Sequence, residues 1–195
     1  MKNVVIVGVG ALGSHVVQFI RNLPIELIAI DYDHLERKNT MSQFHAKTNV
    51  GKNKTLSIQQ TMNFLFGKRV NTNCNKLVED NAKQLLIGPQ GKTDLIIDCL
   101  DNAAARQIVQ NFVRANNIPC LHGALSAADG SFGRVVWDEN FKIDVESLGA
   151  ATCENGNELP FIAITSAYIA QAVKLFIETG NKSGYQISPG GSLKV

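Results

Sequence analysis

The sequence carries no excess charge of either sign. Its 19 lysines and arginines stand against 17 aspartates and glutamates, a formal net charge of +2. That balance gives no reason to expect nucleic acid or a membrane surface as a partner. Paired cysteines are missing too. The four cysteines, Cys74, Cys99, Cys120 and Cys153, are scattered and none forms a Cys-x-x-Cys pair, so no zinc is expected. No apolar run reaches the roughly 18 residues that cross a bilayer. Met1-Lys2-Asn3 leads directly into an apolar run, so no signal peptide is expected and the chain is expected to be cytoplasmic. Internal repeats and low-complexity linkers are absent. A length of 195 residues, 45% hydrophobic and 18% charged, fits one soluble globular domain over residues 1–195.

What is present is an alternation of strand and helix. Residues 3–7 form a continuous apolar run, as expected for a parallel strand buried on both faces. Residues 14–22 carry helical spacing, with Pro24 as a stop, and residues 25–30 read as the second strand. A polar stretch from Asp31 to about Gly51 is long for a strand-to-helix loop, which marks it as functional. Helices are expected over 54–66, 81–87, 103–116 and 161–178, and strands over 69–73, 94–100 and 118–122. Residues 131–137 and 141–145 read as an antiparallel pair, and the tail from Tyr185 to Val195 leaves room for one more strand. The pattern is that of an α/β fold. It is a doubly wound, Rossmann-like, mostly parallel sheet with antiparallel strands added toward the C-terminus.

The first strand runs into Gly8-Val9-Gly10-Ala11-Leu12-Gly13, and the second ends on Asp31 and Asp33. A strand, a Gly-x-Gly-x-x-Gly turn, a helix and an acid about 20 residues on mark a site for an adenosine nucleotide. Gly8 allows the tight turn, Gly10 lets backbone approach a phosphate, and Gly13 lets helix pack on strand. The helix N-terminus offers free N–H groups and partial positive charge. Alone, the turn does not separate NAD, FAD and ATP.

Two further stretches do. One runs Asp31-Tyr32-Asp33, then Asn39-Thr40-Met41-Ser42-Gln43-Phe44, then Gly51-Lys52-Asn53-Lys54. The other is Asp98-Cys99-Leu100-Asp101-Asn102, with Arg106 behind it. In this order they resemble the adenylyltransferase superfamily of ThiF-type, molybdopterin-synthase-activating and ubiquitin-activating enzymes. The resemblance covers about residues 4–136 and resumes from Thr152-Cys153 into the last helix.

The resemblance implies a site for ATP with Mg²⁺. Gly8, Gly10, Ala11, Leu12, Gly13, Asp31, Asp33, Asn39, Lys54, Leu100, Asp101 and Asn102 line it. Asp33 holds the ribose hydroxyls, and Asn39 and Lys54 the phosphates. Asp101 binds Mg²⁺ or orients the attacked phosphate, making Asn39, Lys54 and Asp101 the catalytic candidates. The implied partner is a small ubiquitin-like or sulfur-carrier protein, or a peptide, whose free C-terminal carboxylate is activated as an acyl-adenylate. A homodimer or heterodimer is implied too.

Each residue also has a plainer role available. Asp101 is placed to cap the helix beginning near Ala103, Asp31 reads as more structural than Asp33, and Arg106 and His122 read as structural partners. Gly190-Gly191 reads as a turn. Cys153, in a glycine-rich loop, is an accessible thiol and a candidate nucleophile, with no basic neighbour evident to activate it. The sequence departs from the family at Ser42, where the pattern has an arginine. Arg37, Lys38 and Lys52 are candidate substitutes for that charge. The departure keeps a second reading open, a non-catalytic scaffold that binds a nucleotide or ubiquitin-like protein. A nicotinamide-dependent oxidoreductase is a third, resting on the glycine turn alone.

Overall fold

The computed structural model describes residues 1–126, 131–143 and 156–195. Eight strands form one sheet: β1 Lys2–Val7, β2 Ile25–Ile30, β3 Asn71–Asn73, β4 Leu95–Asp98, β5 Cys120–Leu125, β6 Gly133–Trp137, β7 Tyr185–Ser188 and β8 Gly191–Lys194. Their order across the sheet is β3-β2-β1-β4-β5-β6-β7-β8. The first five pair in parallel, and β6, β7 and β8 add antiparallel. The helices are α1 Ala11–Phe19, α2 Lys54–Phe66, α3 Ala82–Leu86, α4 Ala103–Asn116 and α5 Leu159–Thr179.

Strand β1 explains the layering. Side chains alternate along a strand, and every second residue of β1 goes to a different core. Val4 and Ile6 join an apolar cluster with α1, α2 and α5, built on Val16, Ile58, Ile162 and Ile169. Val5 and Val7 join a second cluster with α3 and α4, built on Leu85, Leu86, Val109 and Val113. The sequence winds outward from β1 through β2 to β3, then returns to β4 on the other side of β1. The crevice between β1 and β4, at their C-terminal ends, is where such a sheet binds ligands.

Most expected elements form within a few residues of their predicted ends, and α2 and α4 match theirs. The polar stretch after β2 folds as two short 3₁₀ turns, Lys38–Met41 and Lys47–Asn49, tied back by a bridge between His34 and Asn53. The expected hairpin of 131–137 with 141–145 is not what β6 forms. Its neighbours are β5 and β7, and Phe141 lies outside any strand with its ring stacked on His122. The tail supplies a hairpin, β7 and β8, turning at Pro189-Gly190, with Gly191 already paired in β8. Helix α5 carries an 18-residue window of mean hydropathy 1.5, long and apolar enough by composition to cross a bilayer, although no single apolar run in the sequence is. Half of that window is buried, against α1, β5 and β6.

Candidate nucleotide site

Two of the three glycines are dictated by contact. Gly8 has φ +86°, and a Cβ there would sit 2.8 Å from the Cys99 carbonyl oxygen. A Cβ on Gly13 would lie 1.9 Å from the Gly8 carbonyl oxygen. Gly10 differs: its Cβ would meet only the Gln43 amide, at 3.9 Å. It is the N-cap of α1, and no side chain caps the helix there, which leaves the first-turn N–H groups without an intrahelical partner. Side chains deliver two more polar atoms to this region. Ser42 and Gln43 are buried, and Ser42 Oγ and Gln43 Oε1 have no hydrogen-bond partner. Buried polar atoms without partners are rare and call for a ligand or water.

Asp31 is occupied inside the fold. Its two carboxylate oxygens accept from Val9 N and Asp33 N, both at 2.9 Å, which fastens the glycine turn to β2. Burial pushes its carboxyl up, opposed by the nearby charge of Lys54. Asp33 is free to face solvent on one side and meets Lys54 Nζ at 2.8 Å on the other. Burial would lower the Lys54 ammonium, but the charges of Asp31, Asp33 and Asp101 together hold it above its usual value. Lys54 is thus a desolvated cation reached by three carboxylates at the mouth of the crevice. Asn53, capping α2 through Thr55 N at 2.8 Å, sets its position. Asn39 is buried, with its side-chain oxygen accepting from Glu36 N at 2.9 Å.

On the β4 side, Asp101 is exposed. It does not cap α4 as the sequence allowed. Asn102 does, its Oδ1 accepting from Ala105 N at 2.8 Å. Leu100 is held at both backbone groups: its N–H donates to Asp98 Oδ1 at 2.9 Å, and its carbonyl accepts from Arg106 Nη2. Arg106 also pairs with Asp98 at 3.0 Å and reaches the Gly123 carbonyl at 2.8 Å. It is a buried structural partner, as its place behind the motif implies.

Sequence reasoning missed the histidines under the turn. His45 Nε2 lies 2.9 Å from the Val9 carbonyl, and Nδ1 lies 3.1 Å from Ser57 Oγ. A carbonyl only accepts, so Nε2 carries the proton and the Ser57 hydroxyl donates to Nδ1. Burial lowers the His45 pKa to about 4. His15 donates to the Ser42 carbonyl across 3.0 Å, and burial lowers it too. The only hint in the sequence was a histidine directly after Gln43-Phe44. Two of the candidate substitutes for arginine have partners: Lys52 binds Asn49 and Gln60, and Lys38 approaches Glu36 at 3.6 Å. Burial pushes the Cys99 and Cys120 thiols up, away from reactivity. Cys153 lies outside the described residues.

The glycine cradle, the Asp33–Lys54 pair and the Asp101 loop meet at the switch point of the sheet, and residues 1–177 match the ThiF family. The chain belongs to that family. Among curated ThiF-type relatives, the SAMP-activating enzyme E1 of Haloferax volcanii is 27% identical over 143 residues, 70% of this chain and 50% of the relative. The molybdopterin-synthase adenylyltransferase of Escherichia coli is 26% identical over 195 residues, 95% of this chain and 77% of the relative. Two solved structures share the fold at a TM-score of 0.76: PaaA, 18% identical, and E. coli MccB with AMPCPP and MccA, 17% identical. Each is matched by all of this chain, which covers 64% and 63% of their lengths respectively. The chain therefore spans half of the Haloferax enzyme and under two thirds of these two structures.

Proposed function

We propose that the chain is an ATP-dependent adenylyltransferase that activates the C-terminal carboxylate of a small ubiquitin-like or sulfur-carrier protein, or of a peptide. One observation carries the reading: an open helix N-terminus at Gly10, flanked by unpartnered Ser42 Oγ and Gln43 Oε1, stands with the desolvated Lys54 ammonium and the Asp33 carboxylate in one crevice. The α1 N–H groups and the Lys54 ammonium fit a polyphosphate, and the acceptors Asp33 and Gln43 Oε1 fit hydroxyl or amino donors of a nucleoside. The curated relatives named as adenylyltransferase and activating enzyme support it.

In this chemistry a carboxylate oxygen of the partner bonds to the α-phosphorus of ATP. The bond from that phosphorus to the bridging oxygen of the β-phosphate breaks, and pyrophosphate leaves with the bonding pair. The products are an acyl-adenylate and pyrophosphate. Lys54 and the α1 N-terminus supply fixed positive charge to the phosphates, and Asp33, released from Lys54, accepts from the ribose hydroxyls. Among the described residues no cluster of three or more histidine, cysteine or acidic side chains forms. Mg²⁺ would therefore be held by Asp101 and the phosphate oxygens, the usual arrangement for this ion, where it neutralises charge on the triphosphate. The proposed assembly is a cytoplasmic dimer.

Calorimetric titration of wild type and Asp33→Ala with ATP·Mg²⁺ and with NAD tests the reading. The expected result is binding of ATP and not of NAD, weakened at least roughly tenfold by the substitution, the scale of one charged hydrogen bond. NAD binding with no ATP binding would overturn it in favour of an oxidoreductase. Ser42, which brings no charge where the family pattern has an arginine, favours a second reading, a scaffold subunit. Absence of binding to either nucleotide would overturn the adenylyltransferase reading and favour the scaffold.

A further inference from the structure

Behind the Asp101 loop lies a buried ionic network. His122, on β5, is fully enclosed, with Nδ1 2.7 Å from Asp98 Oδ2 and Nε2 3.2 Å from Asp138 Oδ1. Asp98 takes Arg106 on the same oxygen and gives its other oxygen to Leu100 N. Asp138, just after β6, takes Gln110 and Arg114 from α4 at 2.9 and 2.8 Å. The Phe141 ring covers His122 face to face, 4.0 Å between centroids and 5° from parallel. Burial would push both carboxyls up, yet Arg106 at Asp98 and Arg114 at Asp138, with the other donors around them, hold both below the usual carboxylate range. Both partners of His122 are therefore acceptors only.

We propose that His122 is a positioning residue for Asp101, acting as a bridge from Asp138 to Asp98. The chain of contacts is continuous. The bridge fixes the rotation of Asp98, and Asp98 holds the Leu100 N–H. Arg106, held by the same carboxylate, takes the Leu100 carbonyl. The Leu100 peptide groups are thus clamped from both sides, and Asp101 is the next residue. His122 touches no substrate. Its effect is to keep the Asp101 carboxylate aimed into the crevice, in the way that outer partners orient metal ligands. The inference rests on the proposed role of Asp101 toward Mg²⁺.

The test uses the full chain as wild type, His122→Asn and His122→Leu. NMR reads the hydrogen exchange of the Leu100 and Asp101 amides. ATP titrations with and without Mg²⁺ read the site. In the variants the Leu100 amide is expected to exchange roughly tenfold faster. The Mg²⁺-dependent gain in ATP affinity is expected to fall at least about tenfold, while Mg²⁺-free affinity stays at the wild-type value. Unchanged Leu100 exchange, or an intact Mg²⁺-dependent gain, overturns the positioning. If the His122 variants do not fold, Asp138→Asn removes one anchor of the bridge and carries the same readouts. Should wild type bind no ATP, the proposed function fails, and Leu100 exchange alone still decides whether the clamp exists.

Discussion

His45 shows how a single side chain ties the site to pH. It is neutral in the folded protein, with a pKa lowered by burial to about 4 from 6.5. The unfolded chain binds a proton below about 6.5 that the folded chain refuses until about 4, so stability rises with pH across that window. His45 contributes nothing to the pH dependence above it. As pH falls from 6.5 to 4, up to roughly 3 kcal/mol of stability is lost through this residue. Denaturant unfolding at pH 7 and pH 5 is expected to show the loss, and His45→Gln to flatten the slope. An equal slope in the variant would assign it to other groups. The site glycines and Asp33 were legible in the sequence because their roles are local: a turn, a close approach, an acid at a strand end. His45 was not, because its partner is a carbonyl 36 positions earlier. The His122 bridge was hidden likewise, its two acids lying 24 positions before and 16 after it.

At the level of elements, α4 carries the signal best. Its length was legible from apolar spacing, and its start is fixed by the Asn102 cap. Sequence alone placed the cap at Asp101, one residue early, since both residue types serve. The structure separates them, leaving Asp101 exposed and free for a ligand. Asn102→Ala is expected to cost about 1 kcal/mol by thermal or denaturant unfolding, whereas Asp101→Ala is expected to leave stability near the wild-type value. A larger loss from Asp101→Ala would place the cap there instead. The hairpin misassigned around residues 131–145 fails for a physical reason. β6 lies between β5 and β7, so both edges are already paired, and the Phe141 ring stacks on His122 instead. Apolar alternation marks a strand but does not name its neighbour.

Over the whole molecule, α5 holds the antiparallel half of the sheet to the nucleotide half. Ile169, fully buried, lies where a Cβ on Gly123 would come within 2.4 Å of it. Ile169→Ala is expected to cost roughly 2–5 kcal/mol, measured by unfolding midpoint, with nucleotide affinity retained below that midpoint. Loss of affinity in the folded variant would show that α5 reaches the site. The doubly wound architecture was legible because central strands apolar on both faces read differently from half-exposed ones. That same property leaves β1 with an ambiguity. Val4 to Val7 are apolar on both faces, so sliding them by one position would still bury those side chains, and hydrophobicity alone cannot choose the alignment. Polar contacts at its two ends choose: Asn3 N to Asp94 at one, Val9 N to Asp31 at the other. Asp31 is thus a registration mark as well as a wall of the crevice, and a neutral residue there is expected to blur the alignment of the central strands before it weakens any ligand.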